Sequence, residues 1–397
     1  MAAHAVALSM AATGGTMSKL VRRTARLLAL AVTLGYGSGA SALECDTEFV
    51  VSSGAVITVA PTNDSSTGDT ANLQCAIDAA IAANRYTTIL LTSGTFHTAQ
   101  LVANGFVGSL EGSGIGATVL TNVARPLPVT PVDMYFADPG PQNPWPTLVA
   151  FVGGEFRVSD LTVRITGEAP TTGWSIFGIA PPIKALAHVF VVLGTHAEAE
   201  FVRLEVEGAP APGDLAGLNV FNGILFEGFF GTNGLAPNSG RFEVHDCIER
   251  RVASPAPIVN VRDTDVAITG NRFEGVIVGA EAGDLENVRY VFAGNHIEAA
   301  WAGVQVYDLC QGGSSMCGVS NSSITVAGNA IRSFDGVDVF STFGPAVSCK
   351  VVGNGVEYDA ENGGVAVWLG PGTTGCFVST SGAVLDQGTG NRVVPRP

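Results

Sequence analysis

Gly270-Asn271-Arg272-Phe273-Glu274, preceded by the alternating strand Val266-Ala267-Ile268-Thr269, sets the pattern for the second half of this 397-residue chain. Its Gly-Asn bend returns in Gly294-Asn295-His296-Ile297-Glu298, Gly328-Asn329-Ala330-Ile331 and Gly353-Asn354-Gly355-Val356-Glu357. Upstream, His245-Asp246-Cys247-Ile248-Glu249 fits the same pattern with Asp246 in place of Asn. The anchors are spaced by 25, 24, 34 and 25 residues. A repeating unit of about 25 residues with one insertion explains this series.

A second motif, Gly-Val-x-Val-aromatic, follows the anchors. It reads Gly-Val-Gln-Val-Tyr at 303–307, Gly-Val-Asp-Val-Phe at 336–340 and Gly-Val-Ala-Val-Trp at 364–368. Residues 275–279 and 258–262 are degenerate copies. With the two-residue period of a strand, both valines point to one side, whereas the x and aromatic positions point to the other.

A unit this short, with three strands and no helix, cannot pair its strands with one another. The strands must pair with the equivalent strands of the next unit, which predicts a parallel β-helix. Asn271, Asn295, Asn329 and Asn354 would then stack into an amide ladder along one bend. A β-sandwich or a propeller is the alternative fold, but Asn-anchored units near 25 residues suit neither. Near residues 70–83, a helix capped by Asp69 or Thr70 precedes the strands.

These features resemble the pectin-lyase-like superfamily of right-handed parallel β-helices, over about residues 66–394. The resemblance lies in the helix that begins at Asp69, the Gly-Ser-Gly-Ile-Gly-Ala-Thr-Val-Leu stretch at 112–120, and the Asn ladder. It implies a helix that closes the N-terminal end, an extracellular polysaccharide as substrate, and a groove along one outward strand face. It supplies no catalytic residues, since the chain lacks the Asp-Asp, Gly-His-Gly and Arg-Ile-Lys motifs of polygalacturonase-like members.

The N-terminal segment is typical of a secretory signal peptide. Residues 1–42 hold a basic patch from Lys19 to Arg26, a short apolar run, and the small-residue cleavage site Ala40-Ser41-Ala42. We therefore expect a secreted protein, extracellular or periplasmic, with one β-helix domain over residues 43–397. The chain has 20 basic and 35 acidic residues, a net charge of -15, which argues against nucleic acid or an anionic membrane as partner. No later segment is long enough to insert into a membrane.

All seven cysteines lie in the exported part, where oxidation is permitted. Cys310 and Cys317 flank a flexible loop that could close on itself, and Cys45 and Cys75 could tie the N-terminus to the helix. Cys349 and Cys376 occupy equivalent places in successive units, so we expect adjacent sulfurs. Whether these two form a disulfide or remain stacked thiols is left open, because parallel neighbours rarely offer the required geometry. The remaining Cys247 is expected to be a buried apolar residue.

Stacking the second motif defines two outward rows on one face of the helix. The first row holds Asn260, Ile277, Gln305, Asp338 and Ala366. The second row holds Arg262, Gly279, Tyr307, Phe340 and Trp368. Glu227, from the preceding unit, is expected beside Arg262. The aromatic residues would form an exposed strip on which sugar rings stack.

The substrate-binding residues predicted from these rows are Tyr307, Phe340, Trp368, Gln305 and Asn260. The predicted catalytic candidates are Asp338, Asp308, Arg262 and Glu227. Two carboxyls such as Asp338 and Asp308 would suit hydrolysis of a glycosidic bond, although solvated surface acids are the simpler interpretation. An ordinary cross-strand ion pair is the simpler interpretation of Glu227 with Arg262.

The sequence therefore predicts a secreted protein that acts on or binds polysaccharide, with a glycoside hydrolase as the first hypothesis. The alternatives are a polysaccharide lyase that uses Arg262 as base together with Ca²⁺, and a non-catalytic surface or adhesion β-helix. No metal site is predicted, because no calcium-loop consensus and no Cys-x-x-Cys motif is present. A neutral or weakly charged glycan is favoured, since the acidic surface would repel a polyanion.

Overall fold

The computed structural model describes residues 45–62, 68–123, 146–166, 186–210, 218–227, 238–308, 321–341 and 347–396. The predicted signal peptide and the predicted Cys310–Cys317 loop lie outside these residues. The described part contains the helix α1 (Gly68–Ala82), a short 3-10 turn (Ala360–Asn362) and many short strands.

The strands follow one another along the chain with short connections in the C-terminal half. They are β1 (Val50–Ser53), β2 (Val56–Val59), β3 (Thr87–Leu91), β4 (Gly94–Thr98), β5 (Leu101–Asn104), β6 (Val107–Glu111), β7 (Thr118–Asn122), β8 (Thr147–Arg164), β9 (Leu186–Glu207), β10 (Val220–Glu227), β11 (Asn238–His245), β12 (Ile248–Arg250), β13 (Ile258–Thr269), β14 (Arg272–Val278), β15 (Glu281–Glu286), β16 (Arg289–Ala293), β17 (His296–Asp308), β18 (Ser323–Ala327), β19 (Ala330–Ser333), β20 (Asp335–Ser341), β21 (Cys349–Val352), β22 (Gly355–Tyr358), β23 (Val367–Leu369), β24 (Phe377–Thr380), β25 (Val384–Asp386) and β26 (Arg392–Pro395).

Each turn of the chain contributes strands to three stacked faces, and a strand pairs with its equivalents one turn earlier and one turn later. Face A contains β12, β14, the first part of β17, β19 and β22. Face B contains β11, the second part of β13, β16, β18, β21, β24 and β26. Face C contains β10, the first part of β13, β15, the second part of β17, β20, β23 and β25. These pairings are all parallel, which confirms the predicted right-handed parallel β-helix with an N-terminal helix.

The helix α1 packs against the first turns of the β-helix through buried side chains that include Leu73, Ala76, Ile77 and Ala80. Asp69 is almost fully buried, and its carboxylate accepts hydrogen bonds from the backbone N–H groups of Thr62 and His97. The predicted capping residue thus bonds to neighbouring segments, which fixes the start of the helix against β4. The predicted disulfide between Cys45 and Cys75 is present.

The predicted amide ladder is confirmed. The backbone N–H and the Nδ2 of Asn271 both donate to Oδ1 of Asn295, at 2.9 and 3.0 Å. Asn295 binds Asn329 in the same way, and Asn329 binds Asn354. Each Nδ2 also donates to a backbone carbonyl, so that buried amide groups are satisfied along the axis.

Glycine, and not asparagine, carries the left-handed backbone at this bend. Gly270, Gly294, Gly328 and Gly353 have φ angles of 69°, 67°, 66° and 70°. None of the four ladder asparagines has a positive φ, so tolerance of that backbone conformation does not explain their presence. The asparagines are needed for their side-chain hydrogen bonds.

The upstream anchor was also misaligned by one residue. His245 pairs with Thr269 and Ile248 with Arg272, so Asp246 lies opposite Gly270 and Cys247 lies opposite Asn271. The N–H of Cys247 donates to Oδ1 of Asn271 at 2.9 Å, and its thiol lies 3.6 Å from the carbonyl oxygen of Phe201. Cys247 is buried as predicted, and it starts the ladder.

Cys349 and Cys376 are bonded, with their Cα atoms 4.4 Å apart. Cys349 is the first residue of β21, and Cys376 directly precedes β24. These strands are neighbours on face B, where Lys350 pairs with Phe377. The predicted adjacency is confirmed, and of the two possibilities left open the disulfide is the one observed.

Candidate functional site

The predicted outward rows on face C are correct in the middle of the domain. Gln305 pairs with Asp338, and Tyr307 pairs with Phe340. In the last unit the alignment was wrong by two residues, because Val337 pairs with Val367 and Asp338 with Trp368. The 3-10 turn at Ala360–Asn362 lengthens the connection, so that Trp368 takes the place predicted for Ala366.

Upstream of Gln305 the predicted rows were also shifted. Val276 pairs with Ala299, so Ile277 and Gly279 do not belong to the two outward rows. Their places are taken by Glu281, which pairs with Gln305, and by Gly283, which pairs with Tyr307. The segment 275–279 resembles the motif in sequence, but it lies earlier in the turn, at the corner between faces A and C.

Arg262 and Glu227 are not neighbours in the strand register. Glu227 pairs with Val259, whereas Arg262 pairs with Glu286 on the next strand. The Nε of Arg262 lies 2.7 Å from Oε2 of Glu286, which makes an ordinary cross-strand ion pair. The predicted Glu227–Arg262 unit was therefore wrong.

Asn260 is 5% exposed and has a φ of 57° within β13, so it is not the exposed substrate-binding residue that the sequence predicted. The side chain of Asp308 lies outside the described atoms, although its backbone pairs with Ser341. Gln305 is half-buried. The pairing of Asp338 with Asp308 as two catalytic carboxyls stays a prediction.

Tyr307, Phe340 and Trp368 form a stack of rings along face C, called here the aromatic column. The ring centroids are 6.1 Å apart for Tyr307 and Phe340 and 5.3 Å apart for Phe340 and Trp368. Phe340 and Trp368 are half-buried, whereas Tyr307 is only 8% exposed. The column exists as predicted, but Tyr307 is not the exposed platform that the sequence indicated.

Glycines on neighbouring strands make room for these rings. A Cβ atom on Gly283 would lie 2.3 Å from the ring of Tyr307, and one on Gly370 would lie 2.6 Å from Cβ of Phe340. Real Cβ atoms do not approach other atoms so closely, so both positions require glycine for the rings to lie flat on the sheet.

Tyr307 connects the column to a carboxyl that sequence reasoning missed. Its Oη donates to Oε1 of Glu281 at 2.6 Å. Burial raises the pKa of Glu281, while the hydrogen bond from Tyr307 acts in the opposite direction. The small residues of Gly279-Ala280-Glu281-Ala282-Gly283 could have identified this segment, because alanines at the inward positions leave only Glu281 to project outward.

Two further carboxyls on face C are almost fully buried. Glu227 is 4% exposed, and burial, followed by the charge of Glu281, raises its pKa well above the ordinary value. Asp338 is 2% exposed, and burial, followed by Asp335, raises its pKa in the same direction. Oδ1 of Asp338 has no hydrogen-bond partner among the described residues. Burial therefore favours the neutral form of both carboxyl groups, which are covered on face C.

Other acids have structural roles. Arg250 bonds to both Glu205 and Glu274 across three strands of face A, which lowers the pKa of Glu274.

His188 is fully buried and lies 3.1 Å from Nδ2 of Asn222, and burial lowers the pKa of His188 to about 3.

Within the described ranges, no group of three or more His, Cys, Asp and Glu side chains is arranged to hold a metal ion. The described residues also include no helix long and apolar enough to cross a membrane.

No protein-family profile matches the chain, and no curated protein matches it. Two solved structures are similar to it in chain path. The A-module of Azotobacter vinelandii mannuronan C-5 epimerase AlgE6 has a TM-score of 0.37 and 15% identity, over 85% of this chain and 98% of the module. The A-module of AlgE4 from the same organism has a TM-score of 0.32 and 17% identity, over 84% of this chain and 94% of the module. Scores this low support no statement about activity.

Proposed function

We propose that this protein is a secreted polysaccharide-active β-helix that binds a glycan along face C and hydrolyses its glycosidic bonds. The observation that carries the proposal is the aromatic column, which runs parallel to the axis and lies beside carboxyls with raised pKa. Sugar rings stack on aromatic faces, and a polysaccharide chain can follow a column that spans successive turns. Export is supported by the signal-peptide pattern and by the two disulfides of the described residues.

The charges on face C favour an uncharged glycan. Among the described residues, the strands of this face carry one guanidinium, Arg262, and it is already paired with Glu286. Burial raises the pKa of Glu227 and of Asp338, which favours the uncharged form of both carboxyls. A polyuronate would meet no free cation there and would be repelled by the acidic surface.

The pair of Arg262 with Glu286 also weighs against the lyase alternative. A guanidinium that is already paired with a carboxylate is a poor base for proton abstraction. The non-catalytic alternative keeps the same binding surface but needs no acid–base chemistry, so it is separated from the hydrolase by product analysis.

The test uses the mature chain, residues 43–397, with amylose, xylan, β-1,3-glucan and galactan, and with polygalacturonate as the charged control. A hydrolase releases reducing ends from a neutral polysaccharide, and Ca²⁺ has no effect. A product with a new carbon–carbon double bond, which absorbs ultraviolet light, would identify a lyase. Binding without any new chain ends would identify a non-catalytic protein, and the absence of both binding and cleavage would contradict the proposal.

A further inference from the structure

We propose that Glu249 is a pH-sensitive switch in the core of the β-helix. The fold is stable while the Glu249 carboxyl carries its proton, and the turn around β12 opens when the carboxyl ionises. Glu249 is the middle residue of β12 and follows closely on Cys247, which starts the amide ladder. Its effect on stability is independent of glycan binding.

The inward side of face A is a row of apolar side chains that Glu249 interrupts. Glu249 pairs with Val206 of β9 on one side and with Phe273 of β14 on the other. Both neighbours are fully buried in the main core. The other members of the row are Val163, Ile297, Ile331 and Val356. The Glu249 carboxyl therefore lies between apolar side chains in both directions along the axis.

The Glu249 carboxyl is shielded from solvent and from protein donors. Glu249 is 0% exposed, and neither Oε1 nor Oε2 has a hydrogen-bond partner among the described residues. Gly223 of β10 leaves the space that the carboxyl occupies, because a Cβ atom on Gly223 would overlap Oε2. Burying a carboxylate without a partner costs far more than burying a neutral carboxyl. The folded protein therefore favours the protonated form of Glu249.

The charged groups of the surrounding strands point away from Glu249. They occupy the outward positions of β9, β12 and β14 and the residue after β12, where they bond to one another across the strands. These residues are Glu205, Glu207, Arg250, Arg251, Arg272 and Glu274. Their ion pairs are complete without Glu249, so none of them neutralises a charge in the core.

The titratable groups nearer to the core are Cys247, His188 and Glu227. Cys247 lies two residues before Glu249, and burial, followed by hydrogen bonds and the charge of Glu249, shifts the pKa of its thiol upward. On the neighbouring strands, His188 pairs with the residue before Gly223, and Glu227 lies four residues after Gly223. Burial alone raises the pKa of Glu249 well above its usual range, which agrees with a carboxyl that has no charged partner.

The protonation of Glu249 links stability to pH. In the unfolded chain the carboxyl is hydrated and ionises above about pH 4.3. In the folded protein it keeps its proton to higher pH, so the folded protein binds one proton more than the unfolded chain. Stability then falls as the pH rises. The stabilisation is complete below the unfolded pKa and is lost as the pH rises through the folded pKa.

The turn around β12 is the part of the core that must open for an ionised Glu249 to reach water. Strand β12 has three residues, and its pairings with β9 and β14 hold it in place. Opening one short strand costs less than unfolding the whole domain. The protein is therefore suited to acidic surroundings and loosens at β12 in alkaline ones.

The first measurement compares chemical unfolding of the mature protein with that of Glu249→Gln, from about pH 5 to about pH 8. Glutamine has the size of glutamate but does not titrate. The ratio of the two unfolding constants, mature protein over variant, should rise about tenfold for each pH unit while the folded carboxyl stays protonated. Glu249→Met, with an apolar side chain of similar length, should give the same trend and supplies the comparison if the glutamine variant does not fold. A ratio that is constant over this range overturns the proposal.

Glu274→Gln is the matched control, because Glu274 stands in the next position of the neighbouring strand but points outward. Its bonds to Arg250 and Arg272 lower the pKa of Glu274. Its carboxyl is therefore ionised in both the folded and the unfolded state above about pH 5. The corresponding ratio of unfolding constants should not change with pH in this range.

The second measurement is amide hydrogen exchange, which locates the opening. The mature protein and Glu249→Gln are compared at the same pH, which removes the intrinsic pH dependence of exchange. As the pH rises, the amides of β12 and of its partner residues in β14 should exchange faster in the mature protein than in the variant. Those of the distant strand β24 should exchange alike. A difference spread evenly over all strands would overturn the local opening. Neither measurement requires a polysaccharide, so their outcome is independent of the proposed function.

Discussion

The turns before and after Cys247 contain the same bend, but different side chains stabilise it. Before it, equivalent side chains are separated by 43 residues, and the bend position holds Leu161 and Leu204, both fully buried. After it, the separations are 24, 34 and 25 residues, and the bend position holds the ladder asparagines. The backbone path is the same, but one half is held by apolar packing and the other by a continuous chain of amide hydrogen bonds.

The outward side of face C changes at the same place. In the earlier turns it carries Ala150, Val191 and Leu225, all of them buried. In the later turns the corresponding positions hold Glu281, Gln305, Asp338 and Trp368. The short, regular turns therefore carry both the ladder and the candidate site.

The largest effect should come from the apolar half. Leu204→Ala removes a fully buried side chain from the bend and should lower the free energy of unfolding by about 2–5 kcal/mol. Chemical unfolding followed by circular dichroism measures the change. Leu204→Met, which conserves volume, is the control and should cost less than about 1.5 kcal/mol.

A smaller effect is expected in the ladder. Asn329→Ala leaves Asn295 without its acceptor and removes one of the two donors to Oδ1 of Asn354, which should cost about 1–3 kcal/mol. The same unfolding experiment applies, with the exposed Asn104→Ala as control. An unchanged unfolding midpoint in Asn329→Ala would mean that the stacked amides do not stabilise the later turns.

The smallest effect should come from Cys247, at the junction. Its thiol lies against the carbonyl oxygen of Phe201, and the backbone of Leu204 hydrogen-bonds to it. Cys247→Ala should therefore cost about 1 kcal/mol. Cys247→Asn should be at least as stable as Cys247→Ala, since an amide can make both contacts and extend the ladder by one rung. A less stable Cys247→Asn would show that the ladder must end where it does.

The fold was predictable because the later turns are short enough for their repeat to be visible. Asn271, Asn295, Asn329 and Asn354 recur at nearly constant spacing, and only one arrangement of such short strands buries them all. The earlier turns gave no such signal, because long insertions separate Leu161 from Leu204 and leucine does not distinguish one bend from another.

The site was harder to predict than the fold. A shift by an even number of residues preserves the alternation of a strand. The predicted place of Trp368 was wrong by two residues and that of Ile277 by four, so neither error disturbed the pattern. Glu281 was missed because its segment has alanines where the motif has valines. The register of each turn depends on corner lengths that the motif does not encode.

The central claim is that the aromatic column of the later turns binds a neutral polysaccharide. The most direct test is calorimetric titration of the mature protein with neutral oligosaccharides, comparing Trp368→Ala with Trp301→Ala. Trp301 also stacks on a phenylalanine, Phe334, at a centroid distance of 5.6 Å, but it lies at the corner between faces A and C. Binding should weaken by about 2- to 12-fold in Trp368→Ala, as the loss of one ring stack predicts, and stay unchanged in Trp301→Ala. Equal binding by both variants and the unmodified protein would contradict the claim.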